Sequence, residues 1–427
     1  MTSAVLPPPD RVTLAGIAAL AARIGQDPVL DAPGRTVLLV DGGVLDTPVH
    51  RRLTEVLGAR PYESLALTGA GDVDGVLALG ARLEGAARVF ALGGGALLDR
   101  AKLATLAAAG RAVAGRLTVP QRSGLVVLTR VPPRPMPLIA VPTTIGTGSE
   151  ASAVACLGYP DAKRLVMAAE LRPEFAVRDP LAVGTLPRHL FVEGVLEAFF
   201  RLVSPYIGDH ADQPEPDARV RAGAAELLRL GYEVVATTRT GAPTTTTQRE
   251  RAARLSAEIH TRHFHDERDP YAVKGWLVAN ELSTVLGLRK MTAVAALLPP
   301  LWRAIDRGET RLGSRRRLRG LWSAVRAGAG QPLPADPADG VAALIDAWCV
   351  GRRVTAAPGT TVALAHRIVR VWGAGLPMLG GLGHAEVLRL LRATVTEPGT
   401  APGRPGPVQP RADTAARPAG GRLAPAT

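Results

Sequence analysis

The period of the apolar positions divides the chain in two. From Thr36 to Asp41 an apolar run stops at Gly42-Gly43, which predicts a short strand buried on both faces, as in a parallel sheet. A helix is predicted over 47–57, a strand over 64–67, a helix over 73–83, and a strand over 88–92 that runs straight into three glycines. A helix over 98–109, an irregular stretch rich in Arg, Val and Pro, and a strand over 137–141 continue the alternation, with further strands at 165–167 and 175–177. This rhythm predicts a parallel sheet with crossover helices.

From Leu186 onward helical spacing replaces strand-like runs, which places a boundary near residue 183. Residues 205–217 read as an irregular loop and residues 241–247 as a Thr-rich turn between helices. From Glu397 to Thr427 the chain has hardly any large apolar residue, too little to offset its ordering entropy. The expected organisation is an α/β Rossmann-like nucleotide-binding domain over 1–183, an all-α domain over 184–396 and a disordered tail over 397–427.

Composition narrows the classes of function. The formal net charge is +13, but the arginines are spread along the chain, only Arg315-Arg316-Arg317 is a compact run, and no aromatic-interleaved basic segment accompanies it. The charge reads as a solvated surface and argues against a nucleic-acid partner. Cys156 and Cys349 make no disulfide framework, and with no signal peptide or membrane-length apolar run the expected setting is cytoplasmic, away from membranes. Lysine occurs only at 102, 163, 274 and 290. Arginine supplies surface charge as well as lysine does, so a retained lysine draws attention as a compact or titratable cation.

Two motifs carry the chemistry. Three glycines after a strand let backbone N–H groups approach a phosphate, which the following helix meets with its positive end. Gly93-Gly94-Gly95-Ala96-Leu97-Leu98-Asp99-Arg100-Ala101-Lys102 and Pro142-Thr143-Thr144-Ile145-Gly146-Thr147-Gly148-Ser149-Glu150 closely resemble the two signatures of the iron-containing alcohol dehydrogenases, with Ala96 where that family has serine. Asp179-Pro180, Thr185-Leu186-Pro187, Ser204-Pro205 and Leu298-Pro299 extend the resemblance over about residues 35–390. It implies the dehydroquinate synthase-like fold, with NAD as cofactor and a homodimer by analogy. It also implies that Gly93, Gly94 and Gly95 hold a pyrophosphate, that Thr143, Thr144 and Thr147 contact the nucleotide, and that Asp99, Lys102 and Ser149 lie near the ribose and nicotinamide. Asp41 falls where the family commonly has an acid facing the adenosine ribose, which would repel the extra phosphate of NADP; the competing reading is a turn residue before Gly42.

The resemblance departs where the family holds its metal. Alignment on Val203-Ser204-Pro205, Leu286-Gly287 and Leu298-Pro299 puts Glu193, Glu197, Asn280 and Lys290 at the four ligand positions, with no histidine among them. An ammonium has no lone pair to give a cation, so no catalytic metal is expected. Two readings remain open: Lys290 replaces the metal's charge, with Glu193 or Glu197 orienting the substrate or taking its proton, or the residues form ordinary ion pairs in a decayed pocket. His260, His263 and His265 read as part of a charged loop rather than a ligand helix, and His189 stands near the cleft entrance without a specific signal.

The expected function is a metal-independent NAD-dependent oxidoreductase acting on a secondary alcohol or carbonyl of a small-molecule or peptide substrate. A resemblance to the dehydrogenase-like proteins of daptide-type peptide natural-product clusters suggests oxidation of a C-terminal threonine hydroxyl followed by decarboxylation. The alternative is a noncatalytic NAD-binding scaffold that activates a partner biosynthetic enzyme. A cyclase like dehydroquinate synthase is disfavoured because that branch also relies on metal-bound histidines.

Overall fold

The computed structural model describes residues 12–398 except 59, 70, 161, 261–263 and 265–267. Its first half is a six-stranded sheet of β1 (Val12–Leu14), β2 (Arg35–Asp41), β3 (Tyr62–Leu67), β4 (Ala86–Gly93), β6 (Leu138–Pro142) and β9 (Phe175–Val177). The order is β1-β9-β6-β4-β2-β3, and every pairing is parallel. Side chains alternate across the sheet. Leu38 and Val40 face a core shared with Leu20 of α1 (Ile17–Arg23) and Val49 and Leu53 of α3 (Pro48–Leu57), beyond the short α2 (Pro28–Asp31). Val37 and Leu39 face Leu79 and Leu83 of α4 (Val73–Leu83) and Leu97, Leu98 and Ala101 of α5 (Gly95–Ala107).

This order creates the site. The chain leaves β2 toward β3 at one edge of the sheet and leaves β4 toward β6 in the other direction, so β2 and β4 are neighbours at a reversal of strand order. Loops diverge there and open a crevice at the carboxyl ends of the strands, where Asp41 and Gly93 stand side by side.

The stretch between α5 and β6, expected to be irregular, contains α6 (Arg111–Thr118) and β5 (Leu125–Val127). The strand expected at 165–167 is the end of β8 (Ala162–Met167), which lies between β5 and β7 (Val154–Tyr159) in a separate three-stranded sheet. Its pairings with β5 and β7 are set by chain folding, which local periodicity does not report.

After α7 (Pro180–Val183) the chain is mainly helical: α8 (Arg188–Gly208), α9 (Pro214–Arg239), α10 (Thr246–Glu258), α11 (Lys274–Val285), α12 (Lys290–Asp306), α13 (Arg315–Ala327), α14 (Pro337–Ala347), α15 (Thr360–Trp372) and α16 (His384–Thr394). The all-α expectation needs one correction, the two-residue pairing of β10 (Val354–Thr355) with β11 (Val395–Thr396). The loop expected from residue 205 begins four residues later, because α8 runs through Pro205 to Gly208. Helix α8 is buried nearly all round, from Phe191 to Tyr206, and that packing outweighs the proline's missing donor. Glu397, expected to open the tail, is held by the fold. Glu397 accepts hydrogen bonds from the Gly359 and Thr361 backbone N–H groups at the start of α15 (3.1 and 2.6 Å), and residues 399–427 lie outside the described residues.

Candidate active site

The glycine turn is an anion cradle. Helix α5 starts at Gly95 with Gly94 as its cap and no side chain of the cap residue bonded to it, so the N–H groups of its first turn beyond Gly95 are left for a ligand. The loop after β6 lies directly over it: Thr143 N–H donates to the Gly93 carbonyl (3.0 Å) and Gly95 N–H to Thr144 Oγ1 (3.3 Å). A Cβ on Gly94 would come within 3.0 Å of Thr144, and one on Gly95 within 2.9 Å of Thr147. Thr147 Oγ1 is buried without a hydrogen-bond partner. An open helix end, a cradle that a Cβ would fill and an orphaned hydroxyl fit a bound pyrophosphate.

Asp41 is a turn residue beside the glycine cradle. Its Oδ1 accepts from Gly43 N–H (3.0 Å), as a turn residue does. Its backbone is nevertheless at the mouth of the crevice, where a Cβ on Gly93 would meet the Asp41 Cβ at 3.1 Å.

Lys102, expected near the ribose and nicotinamide, is enclosed by protein. It has no exposed surface, and its Nζ contacts Asp99 Oδ1, Ser149 O and Ser149 Oγ (each 3.1 Å), Ser152 Oγ (3.3 Å) and Val154 O (2.6 Å). Asp99 also accepts from Ser149 Oγ and from Cys156 N–H. Burial pushes the Lys102 ammonium below the ordinary lysine value, against the pull of Asp99. The three residues form a clasp that ties α5 to the threonine loop, and Thr143 and Ser149 are themselves almost fully covered. Glu150 closes the loop: burial raises its carboxyl above the usual range, and its Oε2 has no partner.

Beyond the clasp the loop docks on α8. Gly146 has φ +85°, and a Cβ there would lie 2.4 Å from the Gly194 carbonyl and 2.8 Å from Glu197 Cβ. The backbone conformation and this close approach both require glycine. Gly146 N–H donates to Ser256 Oγ (2.7 Å). The cradle is thereby held one residue contact from the carboxylates of α8.

Glu193 and Glu197 lie one turn apart on α8, both buried. Lys290, the first residue of α12, brings its Nζ 3.8 Å from Glu197 Oε1 and 4.5 Å from the centre of the Trp276 ring, and makes no hydrogen bond among the described residues. Arg201, one turn beyond Glu197, donates to the same Oε1 through Nε and Nη2 (3.1 and 2.8 Å) and also lies over Trp276 at 4.5 Å. Glu193 is taken by Arg289 at 2.6 Å. Burial raises the Glu193 carboxyl, Arg289 and His189 draw it back down, and Glu197 opposes them.

Asn280 is one helical turn after Trp276 on the same face of α11, and its Nδ2 is buried without a partner. The rotation of α11 is pinned by the adjacent Glu281, which accepts from Trp372 Nε1 (3.1 Å) and Arg367 Nε (2.6 Å) of α15.

The structure thus joins Lys290 to Glu197 and gives Glu193 to Arg289. Sequence reasoning missed Arg201, Trp276 and Arg289. Arg201 was legible as the i+4 neighbour of Glu197, whereas the other two stand on different helices. His260 packs its ring over Gly148 and contacts the Ser256 carbonyl through Nδ1 (2.7 Å); His263 and His265 lie outside the described residues.

Residues 22–180 match the sequence profile of the iron-containing alcohol dehydrogenases. The chain is 34% identical over 129 residues to a mitochondrial hydroxyacid-oxoacid transhydrogenase of Caenorhabditis briggsae, covering 30% of this chain and 27% of that protein. It is 30% identical over 207 residues to a probable alcohol dehydrogenase, EutG, of Salmonella typhimurium, covering 46% of this chain and 49% of that one. These matches span between about a quarter and a half of the relatives' own lengths. The NADH-dependent butanol dehydrogenase A of Thermotoga maritima superposes over 92% of this chain and 99% of its own, with a TM-score of 0.73 at 14% identity, so the fold is shared throughout.

The family's iron does not fit this donor set. Both carboxylates are engaged by arginines, an ammonium stands at one ligand position, and among the described residues no three His, Cys, Asp or Glu converge.

Proposed function

We propose, from a nucleotide-binding half that belongs to the iron-containing alcohol dehydrogenase family and a fold that is that family's throughout, that this chain is a metal-independent NAD-dependent oxidoreductase. Its substrate is a secondary alcohol or the corresponding carbonyl. The observation that carries this reading is Lys290 Nζ at a family metal position, 3.8 Å from Glu197 Oε1, with its donors unspent.

NAD, when bound, supplies the acceptor or donor of the hydride. Thr147 Oγ1 and the open end of α5 hold its pyrophosphate, and the Asp41 carboxylate favours NAD over NADP by repelling an added phosphate. The Lys290 ammonium holds the substrate hydroxyl and the oxyanion that develops as its proton leaves. Glu193 or Glu197 takes that proton. Burial brings Glu193 closer to the pH range in which a carboxyl both accepts and returns a proton. Asn280 Nδ2 offers a further donor beside the oxyanion.

The finer reading is oxidation of a C-terminal threonine β-hydroxyl of a peptide in natural-product biosynthesis. NAD would supply the hydride acceptor for the carbinol hydrogen, Glu193 or Glu197 would take the hydroxyl proton, and the resulting β-keto acid would lose carbon dioxide without a metal. A cytoplasmic homodimer accompanies this reading by analogy with the family, with no nucleic-acid or membrane partner; among the described residues no helix is long and apolar enough to cross a membrane.

One observation favours a second reading. Glu193 and Glu197 are already held by Arg289 and Arg201, as they would be in a noncatalytic NAD-binding scaffold that activates a partner enzyme. NADH formation by chelator-treated full-length protein separates the two. Lys290→Met is expected to lower turnover about 100- to 1,000-fold, the size of a lost oxyanion donor, with dinucleotide affinity retained. Undiminished turnover, or stoichiometric iron or zinc bound at the two glutamates, would overturn the proposal.

A further inference from the structure

We infer that Arg289 is the specificity-determining residue of this cleft, and that it binds an oxyanion carried by the substrate, a carboxylate or phosphonate near the reacting hydroxyl, in exchange for Glu193. This rests on the oxidoreductase reading for the substrate's placement.

Arg201, Arg289 and Lys290 face Glu193 and Glu197, three cations against two carboxylates. Arg201 is spent on Glu197 and on the Trp276 face. Arg289 is held at one point only, by Nη2 to Glu193 Oε1, and the pair is lopsided: the arginine side chain is 55% exposed and the glutamate 9%. A guanidinium has five donors in a planar fork, and two of them match both oxygens of a carboxylate or phosphonate. Nε and Nη1 of Arg289 make no bond among the described residues. The fork therefore stands at the cleft mouth with capacity to spare.

The neighbouring groups lack the same thing. Among the described residues Lys290 Nζ has only the 3.8 Å ion pair with Glu197 and no hydrogen-bond acceptor, and Asn280 Nδ2 is buried without one. Arg289 itself precedes the first turn of α12, whose 17 residues begin with no side-chain cap, so the open N–H groups add positive potential at the same end. A neutral alcohol brings one oxygen to this collection of donors. An oxyanion-bearing alcohol brings three or more and neutralises the surplus charge.

The test uses the full chain with NAD and three secondary alcohols: secondary butanol, β-hydroxybutyrate and 2-hydroxypropylphosphonate. The wild type is expected to favour at least one of the two acids over butanol by tenfold or more in kcat/KM, and the preferred acid identifies the oxyanion. Arg289→Met should collapse that ratio by tenfold or more, and Arg289→Lys should restore part of it. Glu193→Gln should tighten binding of the preferred acid, followed calorimetrically in the presence of NADH, because Arg289 loses its internal rival. A structural role for the pair does not produce that gain. Equal handling of acids and butanol, or acid binding indifferent to both substitutions, overturns the inference while leaving the oxidoreductase reading intact. Arg289-dependent acid binding with no NADH formed from any alcohol sustains the anion site and removes the oxidoreductase reading instead.

Discussion

The glycine cradle and the polar cleft lie on opposite sides of the Ile145–Gly148 turn and are held together in different ways. In the cradle, short contiguous segments meet through at least one backbone group at most contacts: Gly93 carbonyl with Thr143 N–H, Gly95 N–H with Thr144 Oγ1, and the buried Lys102 side chain on the Val154 carbonyl underneath. In the cleft, single side chains from α8, α11 and the start of α12 meet through charge. Backbone contacts leave few substitutions open, because a Cβ at Gly95 or Gly146 collides whatever its chemistry. Side-chain contacts leave many. The same scaffold can thus keep its nucleotide turn while the side chains of its cleft vary.

The largest effect expected from this contrast is on the clasp. Lys102→Met strands the Asp99 carboxylate and the acceptors of Ser149 and Val154 in a buried site, and is expected to cost about 3–5 kcal/mol of stability by urea unfolding, with NADH affinity lost alongside. A loss under about 1 kcal/mol would show that the cradle does not depend on its buried side chains. Gly95→Val comes next. Overpacking against Thr147 should weaken NADH binding roughly 10- to 100-fold, since 1–3 kcal/mol of strain converts at about 1.4 kcal/mol per tenfold. Fluorescence titration reads it, and near-normal affinity would mean that the cradle yields as readily as the cleft.

The smallest effect concerns Glu150. Its folded carboxyl titrates above the ordinary value because it is buried, so the fold keeps a proton that the unfolded chain releases. Wild-type stability should accordingly fall as pH rises from the usual carboxylate range through that raised value. Glu150→Gln removes this dependence, and its melting temperature should gain on the wild type over that interval. A difference that stays constant with pH would show that the carboxyl is ionised and partnered in the fold.

Some of this was open to sequence reading and some was not, for reasons that differ by region. Helix α4 falls at Val73–Leu83 and β9 at Phe175–Val177, where periodicity predicts them, because each buries a regular face within its own span. The β5-β8-β7 sheet escaped because β5 has three residues and finds its partner some forty residues downstream. Pro205 suggested a break that the packing of α8 overrides.

At the site the division is sharper. The sequence by itself determined the nucleotide turn, since three glycines between a strand and a helix already dictate where backbone N–H groups point. It also supplied the carboxylates, amide and ammonium of the cleft, Glu193, Glu197, Asn280 and Lys290. Only the tertiary structure decided that Lys102 turns inward to clasp a loop, that Glu193 belongs to Arg289 and that Glu197 is shared by Arg201 and Lys290. The reason is geometric: a turn is defined by neighbours in the chain, whereas charge pairing between α8 and the start of α12 depends on their spacing and rotation, which many distant core contacts set together.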